Sequence, residues 1–233
     1  MKRLTCGLLA IATCLGAHAA SLLVRPTTVI LSRGESSGTL TVTNNGQEPV
    51  TAQLRLYTWT QDQNEDRLEQ SAGVVASPPM VTVAAGDSQT VRLVRVVSTP
   101  AKTEESYRLI VDEIVDRKAA RTTAGVAVAL RYSVPVFVMP NPAEPARTTV
   151  KATMAADKLV LDVANHGKAH AQISNVTLNY ADGTSHVVNG GLVGYVLPDE
   201  QRQWKLDLPP DRAAAAPKRV RALVNGKELL VAL

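Results

Sequence analysis

The chain has 233 residues, enough for one large domain or two of about a hundred each. A hydrophobic fraction of 45% against 20% charged residues excludes a disordered chain, and only 3% aromatics argues against base-stacking RNA modules and ring-walled carbohydrate sites. The formal charge is +4, but two of the 25 basic residues, Lys2 and Arg3, lie in a leader, and the other 23 against 21 acidic residues exclude a nucleic-acid or anionic-membrane binder.

That leader comes first in the chain. Lys2 and Arg3 are followed by a short apolar stretch over residues 4–15 and by Ala17-His18-Ala19, the small-x-small pattern cut by signal peptidase. The apolar stretch is shorter than the roughly 20 residues that a transmembrane helix needs. Residues 1–19 therefore read as a secretory signal peptide. Cys6 and Cys14 are the only cysteines and both lie inside it. Thr13 stands before Cys14, where a lipoprotein signal usually has Gly, Ala or Ser. The expected mature chain is exported, soluble and free of cysteine, hence without disulfide, Fe–S cluster or thiolate zinc site.

Beyond the leader, apolar and polar residues alternate with the period of a half-buried strand. Thr39-Leu40-Thr41-Val42-Thr43 runs into the turn signal Asn44-Asn45-Gly46, and Val50-Thr51-Ala52-Gln53-Leu54-Arg55-Leu56 comes directly after it. Val81-Thr82-Val83, residues 90–97, Leu109-Ile110-Val111 and the long stretch 126–138 continue the series. Pro78-Pro79, Pro100 and the charged residues 62–69 mark loops between them. Pro140-Asn141-Pro142-Ala143-Glu144-Pro145 is a stiff break, since proline fixes φ and donates no ladder hydrogen bond. Strands resume at Leu159-Val160-Leu161-Asp162-Val163, 173–178, 193–197 and 220–224, with a low-complexity loop at 213–216. A faint repeat links Leu40-x-Val42-x-Asn44-x-Gly46 to Leu161-x-Val163-x-Asn165-x-Gly167. The expected fold is all-β: one sandwich over residues 20–140, a Pro-rich linker over 141–145, and a second sandwich over 146–233.

Catalytic chemistry is hard to find. His166 and His170 are four apart in a turn-then-strand context, which gives no ligand geometry, so they read as solvated turn histidines. There is no Gly-x-Ser-x-Gly elbow, phosphate loop or dinucleotide fingerprint. Adjacent Asp112 and Glu113 point to opposite faces of a strand, and Asp62, Glu65, Asp66 and Glu69 read as a solvated hairpin tip. The expectation is a non-enzyme, with no cofactor and no metal.

One strand is unusual. In Gly125-Val126-Ala127-Val128-Ala129-Leu130, Val126, Val128 and Leu130 share one face and small alanines the other. It continues through Arg131-Tyr132-Ser133-Val134-Pro135-Val136-Phe137, about twice the usual strand length, and Pro135 places it at an edge or a bend. Edges are normally blunted with charge, yet residues 125–130 carry none. Either both faces are buried within the sandwich, or the edge is kept for strand addition to another chain.

The ordered stretches 31–44, Ala76-Ser77-Pro78-Pro79, 84–93, 105–114, Arg131-Tyr132-Ser133-Val134-Pro135-Val136-Phe137 with Pro140, Leu161-x-Val163-x-Asn165 and 220–226 together resemble the PapD-like family of periplasmic pilus-assembly chaperones. The resemblance spans essentially the whole mature chain. It implies two immunoglobulin-like domains in an L-shaped arrangement and a periplasmic chaperone. Such a chaperone lends its long strand to an incomplete pilus subunit and delivers that subunit to an outer-membrane usher. On this chain the lending residues would be Val126, Val128 and Leu130. The family anchors the subunit's terminal carboxylate with an arginine on the first strand and a lysine on the long one, but here those positions fall on Thr28 and Pro135. Arg25, Arg131 and Arg92 are the substitutes nearest in sequence or strand position. The family's interdomain salt bridge is also incomplete: Glu113 is present, but Met139 and Asn225 stand at the partner positions. These departures suggest a divergent branch of the archaic type. An unloaded apolar strand is expected to self-associate. The alternative is a periplasmic two-sandwich ligand- or metal-binding protein without a chaperone role, and a single-sandwich surface subunit fits less well.

Overall fold

The computed structural model describes residues 22–32, 34–114, 129–140, 144–208 and 216–233. Val126, Val128, the leader and residues 141–143 of the linker lie outside them. Among the described residues all regular structure is β-strand.

The first sandwich packs two sheets. One runs β1 (Leu22–Arg25), β3 (Ser37–Asn44), β8 (Ser88–Arg95), β6 (Val74–Ser77). The other runs β2 (Val29–Leu31), β10 (Arg131–Val138), β9 (Glu105–Ile114), β4 (Val50–Asp62), β5 (Glu65–Gln70), with β7 (Met80–Val83) also on β4. Alternation in the sequence becomes alternation in burial. Leu40 and Val42 of β3 meet Leu54, Leu109, Val111, Val134 and Val136 of the opposite sheet in one core. Burying each such Val or Leu stabilises the fold by about 1.5–3 kcal/mol, before ordering costs.

The second sandwich sets β11 (Thr148–Ala155), β12 (Lys158–Asn165) and β15 (Gln201–Asp207) against β14 (Ser185–Val196), β13 (Ala171–Asn179), β16 (Arg219–Val224) and β17 (Lys227–Ala232). Leu159, Leu161, Val163, Ile173, Leu178 and Val220 form its separate core. The chain enters across the turn after β12. A Cβ on Gly167 would stand 2.4 Å from the Arg147 nitrogen and 2.5 Å from the Pro145 carbonyl oxygen, so only glycine fits there.

The sequence repeat is a shared structural device. Asn44 Oδ1 accepts from the Gly46 N–H (2.9 Å), while its Nδ2 donates to the Glu48 and Val83 carbonyls. Asn165 Oδ1 accepts from Gly167 N–H (3.0 Å), and its Nδ2 donates to the carbonyls of Ala169, Val196 and Leu197. Each buried amide stitches a strand-end turn to a neighbouring segment.

Residues 62–69, expected to be a loop, instead form the β4–β5 hairpin. Gln63 and Asn64 take φ of 49° and 70°, the left-handed pair of a two-residue hairpin turn. Its strand β5 is exposed throughout, so burial left no periodic mark in the sequence.

Candidate functional site

The chain leading into the first sandwich changes sheets. β1 pairs with β3 in one sheet, and after Pro26 the chain crosses so that β2 pairs with β10 in the other. This crossing leaves β10 half covered. Its β9 side is paired from Arg131↔Asp112 to Val138↔Glu105, whereas β2 pairs only with Val136, Phe137 and Val138. Among the described residues nothing pairs with the other edge of β10 from Arg131 to Pro135.

Ladder parity states what that edge offers. The Glu113 N–H donates to the Leu130 carbonyl (2.9 Å), so in this antiparallel ladder the even-numbered residues direct their backbone at β9. Arg131, Ser133 and Pro135 direct theirs outward. Pro135 lacks an N–H, and its ring occupies the last rung before β2 takes over the edge, which explains a proline inside a long strand. The side chains of Val134, Val136 and Val138 point into the core, and Leu130 and Tyr132 pack against it on the same face. The proposed lending face therefore extends an inward face of the sandwich outward from Leu130.

The three arginines singled out from sequence are not brought together. Arg25 on β1 and Arg92 on β8 flank β3 in one sheet, both exposed on its outer face. Arg131 lies in the other sheet, with its guanidinium bound to Asp112, which also accepts from Arg55. Burial pushes the Asp112 carboxyl up, but hydrogen bonds from Arg55 and Arg131 outweigh it and hold it below the usual carboxylate range.

A fourth arginine, passed over in the sequence, lies one strand in from the open edge, level with its last residue. Arg108 on β9 lies directly opposite Pro135 and Tyr57. Its guanidinium sits 3.7 Å from the Trp59 ring centroid and 5.5 Å from that of Tyr195 in the second sandwich. Among the described residues it has no ion pair and no hydrogen bond. Burial pushes its pKa down, opposed by the field of Asp66 and Tyr195. The available sequence signal was a charge inside the apolar run Tyr107-Arg108-Leu109-Ile110-Val111.

Arg108 lies against the junction of the two sandwiches. Trp59, Phe137, Tyr195 and Leu197 form a small buried cluster there. The Gln61 amide bridges the two parts: Nε2 donates to the Tyr195 carbonyl, and Oε1 accepts from the Leu197 N–H, each at 3.0 Å. Asn64 exchanges hydrogen bonds with Gln203, and Asp66 accepts from Arg202 at 2.8 Å, so the hairpin expected to be solvated is docked. His170 also departs from the sequence reading. Its ring stacks on Phe137 (3.6 Å) and Nδ1 meets the fully buried Glu104 carboxylate at 2.8 Å. Glu113 takes no part in this junction. Its carboxylate accepts from the Leu130 N–H at the opposite end of β9. Among the described residues no group of three or more His, Cys, Asp or Glu could hold a metal.

These features define a two-sandwich protein with one strand held half open. Residues 21–144 match the model of the pili and flagellar-assembly chaperone family, PapD N-terminal domain, and the chain belongs to that family. No curated protein matches the chain. Among solved structures, it is similar to the CsuC–CsuE chaperone–tip adhesion subunit pre-assembly complex from archaic chaperone-usher Csu pili of Acinetobacter baumannii. Identity there is 21%, with TM-score 0.65, over 91% of this chain and 97% of that one. It is also similar to the Salmonella enterica SafA pilin in complex with the SafB chaperone (16% identity, TM-score 0.64, 94% and 99% covered). The Pseudomonas aeruginosa CupB2 chaperone matches at 19% identity and TM-score 0.59, over 91% and 100%. These likenesses establish the fold.

Proposed function

We propose that this pilus-assembly chaperone binds an incomplete pilus subunit by donating a strand. Val126, Val128 and Leu130 fill the subunit's groove, and the subunit passes on to an outer-membrane usher. Its compartment is the periplasm, reached by way of a leader spanning residues 1–19. The carrying observation is the half-covered β10, whose edge from Arg131 to Pro135 has no partner among the described residues while its inward face leads out through Leu130. Backbone groups on such an edge add a strand from a partner, and alternate side chains select it; chaperone–pilin complementation is a known instance. No nucleotide is needed, because a later subunit can displace the borrowed strand with its own extension. Unloaded, the same edge is expected to pair with a second copy.

The edge also has a direction. A strand laid along Arg131 to Pro135 must stop where β2 begins, one strand over from Arg108, the cationic residue opposite Pro135. An amino terminus is repelled there and a carboxylate attracted. The incoming strand therefore ends in its C-terminus and runs parallel to β10. In place of Arg25, Arg92 or Arg131, Arg108 is the anchor this reading selects, since Arg131 is already paired and the other two lie on the opposite sheet.

Periplasmic co-expression with the pilin candidate encoded nearest to this chain, followed by size exclusion and mass determination, tests the reading. A one-to-one complex is expected from wild type and none from Val128→Asp, which places a charge in the groove. Arg108→Ala is expected to weaken the complex by about 1.5–3 kcal/mol, the worth of a charge-assisted hydrogen bond. A complex indifferent to Val128→Asp would overturn strand donation.

A further inference from the structure

Two consecutive acids hold two consecutive residues where β10 begins. The Leu130 carbonyl accepts from the Glu113 N–H (2.9 Å) as an ordinary rung. The return bond is not ordinary: the Leu130 N–H donates to the Glu113 carboxylate at 3.0 Å, so a side chain closes the rung where a backbone carbonyl otherwise would. One residue further, the Arg131 guanidinium binds Asp112, which is held from the other side by Arg55 on β4. The Asp112 side chain is 12% exposed and that of Arg131 68%, so the exposed arginine is tethered to a fixed point in the sheet.

In a donated strand that continues β10, the position of this root would decide which residues of the sequence face the subunit. Side chains alternate faces along a strand, so a bulge of one residue at the root moves every residue beyond it to the other face. With the alternation of Val134, Val136 and Val138 carried outward unbroken, the lending face is Leu130, Val128 and Val126. After a one-residue slip it would be Arg131, Ala129 and Ala127, small and charged. Apart from its β9 ladder and the packing of Leu130 and Tyr132 on the core, the root has no strand partner on its outer edge among the described residues.

We propose that Asp112 and Glu113 act as a register clamp on the root of the donor strand. They are positioning residues that decide which face of residues 126–130 meets the subunit. This rests on the strand-donation reading above. Arg131 accordingly serves the clamp and not a carboxylate anchor.

The test uses the same co-expressed pilin candidate with purified chaperone variants, reading affinity and backbone amide exchange together. Glu113→Ala is expected to lower affinity about tenfold, the loss of one hydrogen bond to a charged group. It should also remove exchange protection at Leu130, whose N–H the carboxylate holds, while Val134 and Val136 keep theirs. Glu113→Gln, which retains a side-chain carbonyl acceptor, is expected to restore both. Arg131→Gln, a change at an exposed side chain that should leave the fold intact, is expected to weaken binding in the same direction and covers the case in which Glu113→Ala does not fold. Wild-type affinity in Glu113→Ala and Arg131→Gln, with Val128→Asp still abolishing the complex, would overturn the clamp and leave strand donation standing. A complex that survives Val128→Asp would overturn strand donation, and the clamp with it.

Discussion

The two sandwiches share a construction device and differ in how their edges are finished. Asn44 and Asn165 hold equivalent turns by the same pattern, an Oδ1 accepting two residues ahead and an Nδ2 donating to the carbonyl four residues ahead. In the second sandwich the edge strand β15 alternates Gln201, Gln203 and Lys205 outward, and β17 begins with Lys227 and Glu228, the polar and charged blunting that protects most edges. In the first sandwich the open half of β10 has one charge, Arg131, and that charge is tied back to Asp112. The lesson is that an edge reserved for a partner differs from a protected edge less by being open than by having its nearest charge neutralised within its own sheet.

The largest test of this contrast breaks the shared device. Asn165→Ala removes donors from three buried carbonyls, and Asn44→Ala from two among the bonds described, so each should destabilise by about 2–4 kcal/mol, Asn165 the more. Denaturant unfolding of each variant measures this, and equal losses would undo the ranking. Neither change should alter which subunit is bound.

An acid titration sharpens the comparison next. In the first sandwich, hydrogen bonds from Arg95 hold Glu105 below the usual carboxylate range against its partial burial, and Asp112 is held low as well. A carboxyl depressed on folding contributes stability that is present above its unfolded pKa and is lost as pH falls through its folded one. In the second sandwich, burial, helped by Asp62 and Asp199, pushes Glu200 up. Its sign is opposite: it costs stability above its folded pKa and relieves that cost as pH falls below it. Denaturant unfolding from pH 7 down to about pH 3 should therefore show acid loss that Glu105→Gln flattens. Glu200→Gln should be neutral or stabilising at pH 7. Both effects are small, because these groups are partly solvated.

The smallest expected effect concerns the edge itself. Ser133→Lys should change the stability of the unloaded protein by less than about 0.5 kcal/mol, since its side chain is exposed. A clear stabilisation in thermal unfolding would mean that the open edge strains the free sandwich.

Much of this architecture was legible because burial wrote it into the sequence. The alternation around Leu40, Leu54, Leu161 and Ile173 and the turn at Asn44-Asn45-Gly46 all correspond to described elements. The exposed strand β5 left no such mark, and neither did the docking of Asn64 and Asp66 on the second sandwich, because polar residues look alike whether they meet water or a distant backbone. For the same reason the sequence could not tell that Arg25 and Arg92 lie in one sheet and Arg131 and Arg108 in the other. Nearness along the chain says nothing about which sheet a strand joins: the chain crosses between Arg25 and Val29, and Arg92 on β8 lies in the same sheet as Arg25.

The Gln61 amide has a consequence for engineering. It meets Tyr195 and Leu197 with one donor and one acceptor, as a peptide unit of a neighbouring strand would, so the seam between the sandwiches is keyed to residues of the β4–β5 hairpin. A chimera that grafts a relative's second half onto this first half should assemble in one orientation only if residues 59–66 are exchanged along with it. Otherwise the two halves should fold separately and meet as strangers.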